Sequence, residues 1–150
     1  LMKKVIAIII CILICLIQNV AAYSHMKTHI DFEDGMIVET IIEESNIVMY
    51  STKTKTGTKT KNYKDSRGNT LYSVKLTGNF SYTGTTAKCI SSSLEATSYH
   101  KTWKVFSKSS SKNKNTAAGK VVMKQYYDGQ AIQTKNVSIT LTCSNTGVLS

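Results

Sequence analysis

The sequence predicts an all-β protein, a single antiparallel β-sandwich that follows a short N-terminal export segment. The 150 residues contain no proline, and they are rich in Thr, Ser, Val, Ile and Tyr, which favour strands over helices. From residue 47 onward, six or so segments with strand-like patterns are separated by polar turns. We therefore expect residues 47–150 to form a basic β-sandwich domain.

Residues 1–22 have the features of a secretory signal peptide. The positive pair Lys3-Lys4 precedes an unbroken apolar run of 13 residues, from position 5 to position 17. That run is too short to cross a hydrocarbon core, which needs about 20 residues. Small or modest side chains at Val20-Ala21-Ala22 suit a signal peptidase, so we expect cleavage after Ala22. The product would be secreted or associated with the cell surface, and would not span the membrane.

Charge divides the remaining chain into two parts. Residues 23–50 carry six acids and one lysine, a balance of −5, whereas residues 51–150 carry 16 basic residues and three acids, a balance of +13. A positive field of this size concentrates anions near the surface without specifying which anion. Solubility alone is the simpler explanation of the same composition.

The acidic leader, residues 23–46, is compatible with more than one structure. Apolar residues between Ile37 and Ile42 recur at helical spacing, and Asp34-Gly35 before them could cap a short helix. A strand is nearly as consistent with the pattern. The segment is therefore a flexible leader, a short helix on the domain, a strand, or an intramolecular mask for the basic part.

Residues 52–61 alternate threonine with lysine or glycine, as a β-strand does when its two faces differ. This alternation places the lysines along one face or edge and the threonines along the other. The lysines form either an anion-binding stripe or an edge strand protected against aggregation. Gly57 indicates a bulge or bend within the strand. The candidate anion-binding residues are Lys53, Lys55, Lys59 and Lys61.

The clearest strand spans residues 72–82, where one parity is apolar or aromatic and the other is polar. A turn at residues 83–85 leads to a strand that contains Cys89. A further strand is predicted around Trp103, and the polar run of residues 108–115 is predicted to be a loop.

The last predicted element is a hairpin whose turn contains Asp128-Gly129. A two-residue turn would pair odd positions with even ones and split the apolar residues between the two faces. A three-residue loop that ends at Gln130 keeps them together, with positive φ at Gly129 or Gln130. The pairs expected from that loop are Tyr127 with Ala131 and Met123 with Lys135.

Cys89 and Cys143 are the two cysteines that remain after signal cleavage. In an oxidising compartment, such a pair in a small domain is expected to form a disulfide. Closing a loop of about 55 residues would contribute roughly 4 kcal/mol. The order Cys89, Trp103, Cys143 also resembles immunoglobulin domains, but Leu141 replaces the expected tyrosine, which argues against that topology.

The run of residues 68–84, GNTLYSVKLTGNFSYTG, is followed by Cys89, Trp103 and a late Cys143. This combination resembles small exported proteins of Gram-positive bacteria with no assigned function. The threonine–lysine ladder fits the same group, and the similarity covers roughly residues 47–146. The resemblance implies an exported β-rich domain and implies no activity.

The sequence gives little basis for catalysis or for a cofactor. It lacks the GxSxG, HExxH and CxxC motifs and a phosphate-binding glycine loop. We therefore expect a non-enzymatic protein without a cofactor. Cleavage after Ala22 would, however, expose Tyr23, Ser24 and His25, whose amine, backbone amides and imidazole form a set that suits Cu(II) or Ni(II).

The leading functional hypothesis is electrostatic binding of anionic cell-envelope polymers, such as teichoic acids, or of anionic lipid. The alternative is a secreted bacteriocin-like toxin or host-directed effector, and an inert matrix component is a third class. No specific nucleic-acid partner is expected, because the sequence contains no recognition module.

Overall fold

The computed structural model describes residues 24–47 and 53–150, which form eight strands in two antiparallel sheets. The all-β prediction is confirmed. The first sheet has the order β1-β2-β3-β4-β5 and the second has the order β6-β7-β8. The strands are β1 (Ser24–Glu33), β2 (Met36–Ile47), β3 (Lys53–Lys64), β4 (Thr70–Tyr82), β5 (Ala87–Ser98), β6 (Trp103–Asn113), β7 (Thr116–Tyr127) and β8 (Gln130–Thr142).

Within each sheet every strand pairs with its neighbour in the sequence, so both sheets are simple meanders. This connectivity differs from the Greek-key connections of immunoglobulin domains, as Leu141, two residues before Cys143, had suggested. The predicted signal peptide, residues 1–22, lies outside the described residues.

The two sheets share one apolar core. β7 and β8 of the second sheet contact β3, β4 and β5 of the first. The inward parity predicted for residues 72–82 is confirmed, because Tyr72, Val74, Leu76, Phe80 and Tyr82 are all buried. Alternate residues of β7 and β8 face them across the core.

Gly57 marks a close approach between the sheets rather than a bulge. Its position shows no register shift, and it lies opposite Gly78 on β4. A Cβ atom at Gly57 would clash with Leu149, and one at Gly78 would lie 2.6 Å from the Phe80 ring. The prediction of a bulge at Gly57 was therefore wrong, because the missing side chain accommodates a neighbouring apolar group.

The acidic leader is a β-hairpin that belongs to the first sheet, so the short helix was wrong. Asp34 and Gly35 have φ values of 50° and 77° and form a two-residue turn between β1 and β2. Asp-Gly is a strong signal for such a turn, and this function of the pair outweighs helix capping here. Met36 and Val38 are buried in the core. The hairpin is consequently part of the folded domain, and it is not a separate leader in front of the domain.

The β7–β8 turn differs from the prediction in its length. Asp128 and Gly129 have φ values of 46° and 75°, and Tyr127 pairs with Gln130 rather than with Ala131. The positive φ at Gly129 is confirmed, whereas the three-residue loop was wrong.

A bulge compensates for the shorter turn. The register shifts between Gln125 and Tyr126, and beyond this shift Met123 pairs with Lys135 as predicted. The irregularity supplies the one-residue offset that keeps the apolar residues of β7 and β8 on the inner face.

The predicted polar loop at residues 108–115 is mostly strand. β6 continues to Asn113, and its exposed Ser and Lys side chains lie along the edge of the second sheet. The polar composition therefore reflects an exposed edge strand, and only the short turn that follows it is irregular.

Candidate anion-binding cleft

An open cleft of about 840 Å³ lies at one end of the two sheets, where three turns meet. One turn joins β4 to β5, a second joins β6 to β7, and the third follows β8. Because the turns come from distant parts of the chain, the cleft exists only after both sheets have packed together.

Three lysines dominate the charge of this cleft. Lys88 extends from β5, Lys112 lies near the end of β6, and Lys114 lies in the β6–β7 turn. In the described part of the chain, no acidic side chain lines the cleft. The other polar groups are asparagine amides and threonine hydroxyls, which can donate hydrogen bonds to an anion. This arrangement suits phosphate or carboxylate groups.

Backbone hydrogen bonds fix the β6–β7 turn between the ends of β5 and β8. The amide of Cys89 donates to the carbonyl of Lys114 (2.7 Å), and the amide of Cys143 donates to the carbonyl of Asn115 (3.0 Å). The Asn115 side chain donates to the Cys143 carbonyl at 2.7 Å. Lys114 itself has φ 50°, in the left-handed region that disfavours a residue with a Cβ atom. The surrounding bonds therefore hold a lysine in a strained conformation at the cleft.

Further contacts order the other walls. Thr83 accepts a hydrogen bond from the Thr86 amide through its hydroxyl at 3.2 Å, which stabilises the β4–β5 turn. The Gly84 amide donates to the Asn145 carbonyl at 3.0 Å and links this turn to the one after β8. Lys112 donates to the Ile90 carbonyl on β5, which fixes the position of its ammonium group.

The predicted disulfide is not formed in the structure, in which Cys89 and Cys143 are free and buried. Their thiols donate to the carbonyls of Ser91 (3.3 Å) and Ser144 (3.4 Å). Burial raises the pKa of both thiols. Both side chains are therefore protonated at neutral pH and weakly nucleophilic.

Trp103 lies far from the cysteines. Its ring is 4.9 Å from that of Tyr72, whereas Cys89 pairs with Phe80, further along β4. The immunoglobulin-like packing of tryptophan on a disulfide is thus absent from this arrangement.

The predicted lysine stripe on β3 is not an exposed edge. β3 lies between β2 and β4, and its lysines share the inner face with Gly57 and Tyr63. Lys55 is buried, pairs with Glu44 at 2.6 Å, and donates to the Gly147 carbonyl at 2.5 Å. An external anion would have to break this pair to reach Lys55.

The other members of the stripe occupy different environments. Burial lowers the pKa of Lys59, and the charge of Lys61 beside it lowers that pKa further. Lys53 is exposed and lies near the β4–β5 turn. The four lysines therefore do not form one continuous surface.

The acidic hairpin supplies the carboxylate in all four ion pairs found among the described residues. These pairs are Lys55–Glu44, Lys64–Glu39, Lys135–Asp34 and His29–Asp31. Lys64 lowers the pKa of Glu39 by donating a hydrogen bond to it. The hairpin consequently neutralises two lysines of the first sheet, Lys55 and Lys64, and one of the second, Lys135.

Apart from Lys135, the lysines of the second sheet keep their charge unpaired. Residues 99–150 contain eight lysines and one carboxylate, Asp128, a net charge of +7. Within the described ranges, the seven lysines from Lys101 to Lys124 form no ion pair. Lys88, Lys112 and Lys114 were not predicted as a site, because only tertiary packing brings them together. The one feature of the sequence that could have indicated a site at these lysines is their position beside turn residues.

The predicted metal set is only partly covered by the structure. Tyr23 lies outside the described residues, and His25 is exposed on β1, the strand that begins at Ser24. His29 contacts Asp31 at 3.0 Å. No group of three or more metal-ligating side chains was found in residues 24–47 and 53–150.

No family model, curated protein or solved structure matches this chain. Among the described residues, no helix has the length and apolar character needed to cross a membrane.

The strain at Lys114 leads to a stability prediction. Lys114→Gly should raise the free energy of unfolding by up to about 1 kcal/mol, because glycine adopts positive φ without a steric penalty. Thermal unfolding followed by circular dichroism should show a melting temperature about 3 °C higher.

Lys120→Gly is the matched control, because Lys120 lies within β7 and its φ is not positive. There the same change should lower the melting temperature. Equal losses of stability in both variants would contradict the strain assigned to Lys114.

Proposed function

We propose that this chain is a non-enzymatic module that binds anionic polymers of the cell envelope electrostatically, with the three-lysine cleft as its binding site. The observation that carries this proposal is the unpaired basic charge of the second sheet, next to a cleft that combines Lys88, Lys112 and Lys114. Phosphate groups, as in teichoic acids or anionic lipids, match the ammonium and amide donors of the cleft.

A polymer fits the arrangement better than a single small anion. The outer face of the second sheet carries Lys104 and Lys124, which are paired in register. Lys104 lies 5.4 Å from the Tyr126 ring centre, and Lys124 lies 3.5 Å from that of Phe106. Lys104 is exposed and Lys124 is half-buried, and both lie outside the cleft. A chain with repeated anionic groups therefore gains further contacts on binding. The resulting affinity should fall as salt concentration rises.

The expected export of the chain supports a partner outside the cytoplasm. Residues 1–22 have the pattern of a signal peptide, and the positive field of the rest would meet polyanions of the envelope.

Binding can be tested by a pull-down of the exported chain on Gram-positive cell walls with and without teichoic acid, at low and high salt. The triple change Lys88→Gln, Lys112→Gln and Lys114→Gln should weaken binding at low salt by about tenfold or more, because three ammonium contacts are lost. It should also reduce the dependence of binding on salt.

A matched control removes the same charge from the first sheet, through Lys59→Gln, Lys61→Gln and Lys75→Gln. This variant should retain most of the binding, because these lysines lie outside the cleft. Equal losses in the two triple variants would show that net charge alone matters. Binding that does not require teichoic acid would contradict the proposed polymer.

We also propose that Cys89 and Cys143 become joined by a disulfide after export. Their backbone amides donate to the consecutive carbonyls of Lys114 and Asn115, which supports proximity of the two segments. The thiols must first leave the carbonyls of Ser91 and Ser144. The two electrons and two protons would pass to a disulfide donor of the exporting compartment.

Mass spectrometry of the exported protein, digested without reduction, should detect one peptide that links Cys89 to Cys143. The linked peptide should separate into two after reduction. Two alkylated, unlinked peptides from protein trapped at the moment of export would contradict the disulfide.

A further inference from the structure

β1 forms one edge of the first sheet. Within the described ranges it pairs only with β2, over all ten residues from Ser24 to Glu33 and without a register shift. The segment contains no proline. An edge of this length presents unpaired backbone donors and acceptors to any strand that can approach it.

Large apolar side chains are exposed along one face of β1. Met26, Ile30 and Phe32 are 61%, 57% and 82% exposed. Phe32 lies opposite Ile37 on β2, so the apolar surface continues onto the neighbouring strand. Exposed apolar side chains next to an unpaired strand edge indicate an interaction surface.

The other face of β1 carries charges of both signs, in an order that places opposite charges against each other when two copies of β1 pair antiparallel. Lys27 is exposed, and Asp31 follows it four residues later on the same face. If two β1 strands pair antiparallel about a two-fold axis at His29, Lys27 lies opposite Asp31 of the second copy. His25 then lies opposite Glu33 of the second copy, and the symmetry forms each pair twice.

The same register also matches the apolar face. Met26 lies opposite Phe32 of the second copy, and Thr28 lies opposite Ile30. A shift by one residue would place apolar side chains opposite charged ones. Centring the pair on His29 gives an overlap of nine residues, from His25 to Glu33, within the strand.

From this complementarity we propose that the free edge of β1 binds a second copy of this chain and forms a ten-stranded sheet across a two-fold axis. Lys27 on the edge disfavours strands without a matching acid, so the edge selects its own copy. Both copies use the same edge, β1, and the opposite edge strand, β5, contacts β6, so the pairing closes at two copies instead of extending into a fibre.

Sedimentation velocity of the exported chain over a range of concentrations tests this interface. The unaltered chain should be a reversible dimer. Lys27→Glu and Asp31→Lys should each weaken self-association by about tenfold or more, because each change places like charges opposite each other twice. Both side chains are exposed, and the contact of Asp31 with His29 (3.0 Å) is exposed as well, so neither change should disturb the fold.

Mixing the two variants provides the decisive comparison. A chain with Lys27→Glu has two acids at these positions, and a chain with Asp31→Lys has two lysines, so the mixture should form a heterodimer. The double variant with both changes should form a homodimer again. Lys101→Glu, in the exposed turn between β5 and β6, is the control and should remain dimeric.

Three results would overturn the proposal. They are an unaltered chain that is monomeric at all concentrations, two single variants that dimerise like the unaltered chain, and a mixture of the two variants that stays monomeric.

Discussion

The ion pair between Lys55 and Glu44 is the interaction on which this arrangement most depends. The two side chains are only 8% and 10% exposed, and the same ammonium group also donates to the Gly147 carbonyl. One lysine thereby joins β2, β3 and the turn after β8. Removing one partner of a buried pair costs about 3–5 kcal/mol, a large fraction of the net stability of a small domain. Without the acidic hairpin, Lys55 on β3 would be a buried charge that lacks its carboxylate partner.

The lysines therefore fall into two groups, those that pair with a carboxylate of the hairpin and those that form no ion pair among the described residues. Lysines of the first sheet lie beside the carboxylates of β2, and Glu44 and Glu39 neutralise Lys55 and Lys64. In the second sheet Lys135 on β8 pairs with Asp34 of the hairpin, whereas the seven lysines from Lys101 to Lys124 form no ion pair among the described residues, and Asp128 is the one acidic side chain in residues 99–150. The outward positive field therefore belongs mainly to the second sheet and to the cleft at its end. The proposed export and the proposed electrostatic binding both favour an envelope polymer as the ligand class.

The sequence predicted those features that depend on neighbouring residues. Alternation over residues 72–82 was sufficient to identify β4 and its buried face, because the side-chain period of a strand is two. The Asp34-Gly35 turn was misread because the same dipeptide begins helices and closes hairpins. Lys55 was placed on a surface because the sequence does not show that Glu44 lies beside it. The cleft was missed because its three turns meet only after the sheets pack.

The most direct test follows individual lysine side chains by NMR while soluble inorganic polyphosphate is added to the exported chain. Signals of Lys88, Lys112 and Lys114 should shift together and saturate, and added salt should reverse the shifts. Lys55 and Lys59 should remain unchanged, since the first is held by Glu44 and the second is half-buried. Shifts centred on the β3 lysines, with the cleft lysines unaffected, would contradict this division of charge.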